Sequence, residues 1–200
     1  MPGGYNKDDR SFRHSFWVDG RMADMLVKLY GLPEVASLLA ELEQAGVEIR
    51  RAHPREKRVI SEWVRQRFSE TWAAECEAAL EQRPVSCYVA VEREQSAAAG
   101  TSLDNLPEET LLGFACYDVV SKGMFGPEGV RVEYRGRGIG KALLLTCLHA
   151  MAGDGYAYAV IAWAGPTEFY MKTVGATVIE GSEPGIFRGP LTGGTSGTSL

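Results

Sequence analysis

The stretch Gly129–Ala150, GVRVEYRGRGIGKALLLTCLHA, decides how this chain is read. An alternating apolar strand end passes through a turn of Arg135, Gly136, Arg137, Gly138, Ile139, Gly140 and Lys141 into a strongly apolar helix. The three glycines remove side chains where a backbone must pass close to something. The turn also opens directly into a helix start, where unpaired amides and the positive end of the helix dipole favour an anion. Arg135, Arg137 and Lys141 add positive charge there, so a diphosphate suits the turn. A connection that needs glycine only for tight packing is the alternative.

Spacing excludes two other phosphate loops. A P-loop would need glycine at position 135 and Ser or Thr at 142, where the chain has Arg135 and Ala142. A dinucleotide fingerprint begun at Gly136 or Gly138 would need its third glycine at Lys141 or Leu143.

Upstream of the turn, MFGPEGVRV (124–132) carries glycines and a proline that predict a bulged or splayed strand. VSCYVAV (85–91) and LLGFACYDVV (111–120) read as strands rich in β-branched and aromatic residues. The polar, small-residue segment between them, 92–110, reads as a mobile insertion or part of a lid. Residues 54–82 read as helix after a proline start, divided by the cap signal in FSETW. Before them come a strand at 24–30, a helix at 33–46 and a strand at 47–52. Downstream, 140–153 is a helix apolar on most sides, and YAYAVIAWA (156–164) is a central strand covered on both faces. A short helix at 166–175, a strand at 176–180 and an edge strand at 185–191 complete the order of an α/β chain. The expected organisation is a loose extension at 1–21, a single domain at 22–191 and a disordered tail at 192–200.

The residues VRVEYRGRGIGKALL resemble the acyl-CoA-binding motif of the GNAT superfamily of N-acetyltransferases, with Arg135, Gly138 and Gly140 at its marked positions. EFYMKTVGA is similar to the second signature of that superfamily, an aromatic pair and a glycine, here Phe169, Tyr170 and Gly175. The resemblance spans about Val47 to Leu191. It implies a mixed, largely antiparallel, splayed central sheet flanked by helices, with acetyl-CoA as co-substrate. It further implies that backbone groups near Val130, Arg131 and Val132 face the pantetheine arm, and that Arg135, Gly136, Arg137, Gly138, Ile139, Gly140 and Lys141 hold the pyrophosphate. A strand amide polarising the thioester carbonyl would act as an oxyanion donor. Tyr170 matches the tyrosine that protonates the departing thiolate, and Phe169 is expected in the core.

The base is less marked. An alkylamine of pKa ~10.4 needs about 4–5 kcal/mol to be neutral at pH 7, so a group must accept its proton. Family members often carry a carboxylate earlier on the splayed strand, where this chain has Met124 and Gly126. Glu128, and Asp118 on the neighbouring strand, are the nearby carboxylates. WAGP (163–166) stands where many members have an asparagine that contacts pantetheine. The expected activity is direct attack of an amine on acetyl-CoA in a ternary complex. The rival is a non-catalytic acyl-CoA sensor or interaction module on the same fold.

Composition narrows the partners. A net charge of −5 disfavours a nucleic-acid binder, and the basic run 48–58 is interleaved with acids as a solvated face is. Cys76, Cys87, Cys116 and Cys147 follow no paired metal spacing and read as reduced core residues, so no metal is expected. No run approaches a membrane span, and the first residues lack a signal peptide's apolar centre, so the expected location is the cytoplasm. The acceptor is expected to be a small-molecule amine or a peptide amine, and oligomeric state stays open, a homodimer included.

Overall fold

The computed structural model describes residues 22–93 and 110–183. The expected loose start, nearly all of the 92–110 insertion, the 185–191 strand and the tail lie outside the described residues.

Seven strands form one sheet: β1 Met25–Lys28, β2 Val47–Arg51, β3 Cys87–Glu92, β4 Leu111–Tyr117, β5 Met124–Val130, β6 Tyr158–Ile161 and β7 Thr177–Val178. Their order is β2-β3-β4-β5-β6-β1-β7. All neighbours are antiparallel except β5 and β6. The helices are α1 Ala36–Gln44, α2 Lys57–Arg67, α3 Glu70–Glu81, α4 Ile139–Gly153 and α5 Thr167–Val174. The mixed, largely antiparallel sheet flanked by helices is the expected one.

Each face of the sheet is sealed by its own helices. On one, α4 lays Leu143, Leu144, Leu148 and Met151 against Leu112, Ala115, Tyr117 and Phe125. Each fully buried leucine contributes roughly 1.5–3 kcal/mol, enough to fix α4 firmly. On the other, Ile60, Trp63 and Val64 of α2 and Cys76, Ala79 and Leu80 of α3 cover Val89, Phe114 and Cys116. The FSETW signal does divide α2 from α3: the Ser69 hydroxyl accepts a hydrogen bond from the Trp72 amide at 3.1 Å.

The sheet opens at one place. β5 and β6 pair only through Met124 with Val160 and Phe125 with Ile161. On its other side β5 pairs Phe125 with Tyr117 and Glu128 with Ala115, so Gly126 and Pro127 form a bulge. Proline offers no amide to a ladder, and the bent strand runs on to Val130 with no partner in β6. The splay expected from MFGPEGVRV is therefore a bulge between Phe125 and Glu128.

Three elements differ from expectation. β5 ends at Val130, and Val132 opens a separate 3-10 turn, Val132–Tyr134, because the chain must reverse before α4. β6 is four residues with Tyr158 half exposed, not a long covered strand. β7 is a two-residue exposed edge. The space between β6 and β7 is taken by β1, from the start of the described chain.

Candidate functional site

The glycine turn lies where β5 leaves the sheet and α4 begins. Gly136 and Gly138 hold φ of 76° and 86°, the left-handed region that side chains resist. Gly138 is the N-cap of α4, and no side chain caps the helix. The first bond of α4 runs from the Ala142 amide to the Gly138 carbonyl at 2.9 Å, so the preceding amides have no acceptor within the helix. A side chain at Gly136 would meet nothing within 4 Å, so this side of the turn is open. At Gly138 it would stand 3.1 Å from Leu38 of α1, which backs the turn.

The basic residues divide. Arg137 and Lys141 are exposed at the turn. The Arg137 guanidinium lies 4.9 Å from the Tyr134 ring centre, and Arg131 lies 5.1 Å from the same ring. Tyr134 thus holds two cations beside the helix terminus, a role the motif did not mark. Arg135 turns back toward the sheet, its Nε donating to the Val130 carbonyl at 3.1 Å. It braces the end of β5 against the turn. Ile139 buries its side chain in the core and has only backbone to offer a ligand. Val130 is buried at the strand end, whereas Val132 is exposed off the strand. A continuous strand edge through Val130, Arg131 and Val132 is therefore not formed, since the 3-10 turn interrupts it.

Glu128 follows the bulge and faces α4. Its Oε1 is buried without a hydrogen-bond partner among the described residues. It lies beside Gly140 of α4, whose Cβ, if present, would stand in ordinary contact at 3.4 Å from that oxygen. Burial pushes the Glu128 carboxyl up to about 8. Tyr170, on α5, is 8% exposed, and its hydroxyl lies well above the usual phenol range through burial first and the Glu128 charge second. The Glu128 charge thus acts on the Tyr170 hydroxyl, while burial alone raises the Glu128 carboxyl. Phe169 packs edge-on to Tyr170 with ring centres 5.2 Å apart and against the core, as expected.

Asp118 is engaged elsewhere. Its carboxylate accepts from the Gly123 amide at 2.7 Å, the Tyr156 hydroxyl at 2.9 Å and Lys122 at 3.3 Å, which closes the β4–β5 turn. Of the two nearby carboxylates, Glu128 alone reaches the parted strands.

Past the end of β6, Trp163 has φ of 48°, an uncommon conformation for a bulky residue. Its amide donates to Asp24 Oδ1 at 3.0 Å, and the Ala164 amide donates to the Ala23 carbonyl at 3.1 Å. The segment before β1 thus pins the far side of the opening. Sequence spacing gave no sign of this clamp, because its halves lie 139 residues apart.

The fold and this arrangement define a mixed α/β domain with an anion-attracting helix terminus at the mouth of two parted strands. The model of the Acetyltransferase (GNAT) family matches residues 57–175, and the chain belongs to that family. Among solved structures it is similar to a GCN5-related glucosamine N-acetyltransferase region of a fungal multi-domain GH3 β-N-acetylglucosaminidase, at TM-score 0.61 and 14% identity. That match covers 80% of this chain and 20% of the other. It is also similar to a GCN5-related N-acetyltransferase from Sphaerobacter thermophilus, at TM-score 0.55 and 20% identity, covering 79% of this chain and 48% of that one. The chain thus spans less than half the length of either protein. A search of curated protein sequences returned no match. Among the described residues no helix is long and apolar enough to cross a membrane.

Proposed function

We propose that the chain transfers an acetyl group from acetyl-CoA to an amine, by direct attack within a ternary complex. The observation that carries this reading is an unpartnered buried carboxylate, Glu128, facing an uncapped, cationic helix terminus, with a buried Tyr170 hydroxyl on which its charge acts. Acetyl-CoA supplies an activated thioester and a diphosphate. The diphosphate suits the left-handed glycines, the open side of Gly136, and the charges of Arg137 and Lys141.

Glu128 accepts the proton of the incoming ammonium. Its raised pKa shortens the uphill step from an alkylammonium, since donor and acceptor are closer in acidity than for an ordinary carboxylate. The amine nitrogen then bonds to the acetyl carbon, the carbon–sulfur bond breaks, and the sulfur takes the Tyr170 proton. Glu128 returns its proton to solvent, while the excess proton left on the new amide nitrogen restores the tyrosinate to the Tyr170 hydroxyl. Burial keeps that hydroxyl protonated at neutral pH, so it is ready to donate. Backbone amides freed beyond the bulge supply the oxyanion contribution.

The test is incubation with isotope-labelled acetyl-CoA and a pool of amines, read by mass spectrometry. Amino sugars belong in that pool because the fungal neighbour is a glucosamine N-acetyltransferase region, together with amino acids, polyamines and peptides. A labelled product lost in Tyr170→Phe supports the reading. Saturable acetyl-CoA binding with no product from any amine class would replace it with a binding module.

A further inference from the structure

Three cysteines that share no sequence spacing meet inside the sheet. Cys87 begins β3 and Cys116 lies directly opposite it on β4. Both point away from α4, into the compartment under α2 and α3, where Cys76 of α3 comes down onto them. All three are fully buried, and their sulfurs lie within 4.8 Å of one another. Cys147, the fourth cysteine, is on α4 itself and is buried against the opposite face of the sheet, its thiol toward the Ala115 carbonyl.

We propose that Cys76, Cys87 and Cys116 form a structural site for a soft, thiophilic d10 metal ion such as Zn(II), on the face of the sheet opposite the Glu128 carboxylate and separate from the acetyl-transfer centre. Geometry favours a metal over a disulfide. With metal–sulfur bonds of about 2.3 Å, ligands around one ion stand about 3.8–4.0 Å apart. Cys76 and Cys87 are already at 3.9 Å. The other pairs need to close by at most about 1 Å, within ordinary side-chain adjustment. A disulfide would require two sulfurs to approach to about 2.05 Å, a movement that a packed helix–sheet interface resists.

The surroundings choose the kind of ion. Trp63, Val64, Ala73, Ala79 and Leu80 share the compartment, and among the described residues these apolar side chains give no oxygen shell for a hard cation such as Mg(II) or Ca(II). In this apolar setting low total charge is favoured, and a divalent ion with two or three thiolates carries a net charge of zero or −1. Each thiol that binds releases its proton to solvent as its metal–sulfur bond forms. Because the site is sealed, loading accompanies folding or a local opening of α3.

The experiment uses Cd(II) as the probe. The full chain is refolded under reducing conditions with Cd(II), passed through a desalting column, and measured for metal content, thiolate-to-metal charge-transfer absorption and melting temperature. The expected result is one Cd(II) per chain, a charge-transfer band and a raised melting temperature. Cys147→Ala should keep all three, while Cys76→Ala should lose the band and the metal. A wild-type chain that folds in Cd(II) yet emerges without stoichiometric metal overturns the proposal, whatever the variants do. So does retention of the full charge-transfer band by a folded Cys76→Ala chain.

Discussion

At the scale of single residues, Glu128 carries two opposed consequences of one burial. Its folded pKa is about 8, against an ordinary carboxylate value near 4.5. Between those values the unfolded chain ionises while the folded chain holds its proton. Stability is therefore present in full below about pH 4.5 and falls as pH rises toward 8, by a total on the order of a few kcal/mol. Glu128→Gln cannot ionise, so its urea-unfolding free energy should show less of this decline, and it should be the more stable protein at pH 8. The same substitution should damage catalysis. Wild-type kcat/KM should climb with pH and level above about 8, whereas the Gln variant should lose roughly 10²-fold or more and the climb with it. A Gln variant with the wild-type profile would remove Glu128 from the mechanism. Tyr170→Phe deletes the proposed proton donor while leaving the ring in its place. Its kcat should fall by about 10²-fold with little change in acetyl-CoA affinity, which calorimetry and steady-state kinetics separate.

At the scale of elements, the glycines of the turn and of β5 make different demands. Gly136→Ala meets open space and should cost only its left-handed strain, about 1–2 kcal/mol. Gly138→Ala carries the same strain and also presses on Leu38 at 3.1 Å, so it should cost more and weaken acetyl-CoA binding. Thermal melts of the two variants side by side test that order. Gly129 is demanding for another reason. A Cβ there would stand 2.6 Å from the Phe68 ring, which stacks on Trp72 with ring centres 5.5 Å apart. Gly129→Ala should therefore destabilise by about 1–3 kcal/mol, and a melting temperature equal to wild type would show that the aromatic group yields freely.

At the scale of the whole molecule, local chemistry was legible and long-range pairing was not. The glycine turn, the Ser69 cap and the bulge at Gly126 and Pro127 could be read because each is written in adjacent residues. The end of β5 at Val130 was missed because RVEY continues an apolar alternation while folding as a 3-10 turn. The position of β1 between β6 and β7, and the Asp24–Trp163 clamp, depend on contacts between distant parts of the chain that no local pattern encodes. The cysteine cluster escaped for the same reason: strand register and one helix bring together residues whose spacing is uninformative. Among the proposed site residues, Tyr170 and Glu128 could be named from sequence, but the burial of both could not. That Arg135 also braces the end of β5 through its Nε on the Val130 carbonyl was not legible in the motif.

The central claim is that the helix terminus at the parted strands is the seat of acetyl-CoA. The most direct measurement is calorimetric titration of acetyl-CoA into the full chain and into an Arg137→Glu, Lys141→Glu double variant, whose changes fall on exposed side chains. The account predicts one saturable site in the wild type, at least about tenfold weaker binding in the variant, and a steeper loss of wild-type affinity with added salt. Equal affinity in the two proteins, or no binding by a folded wild type, would contradict it.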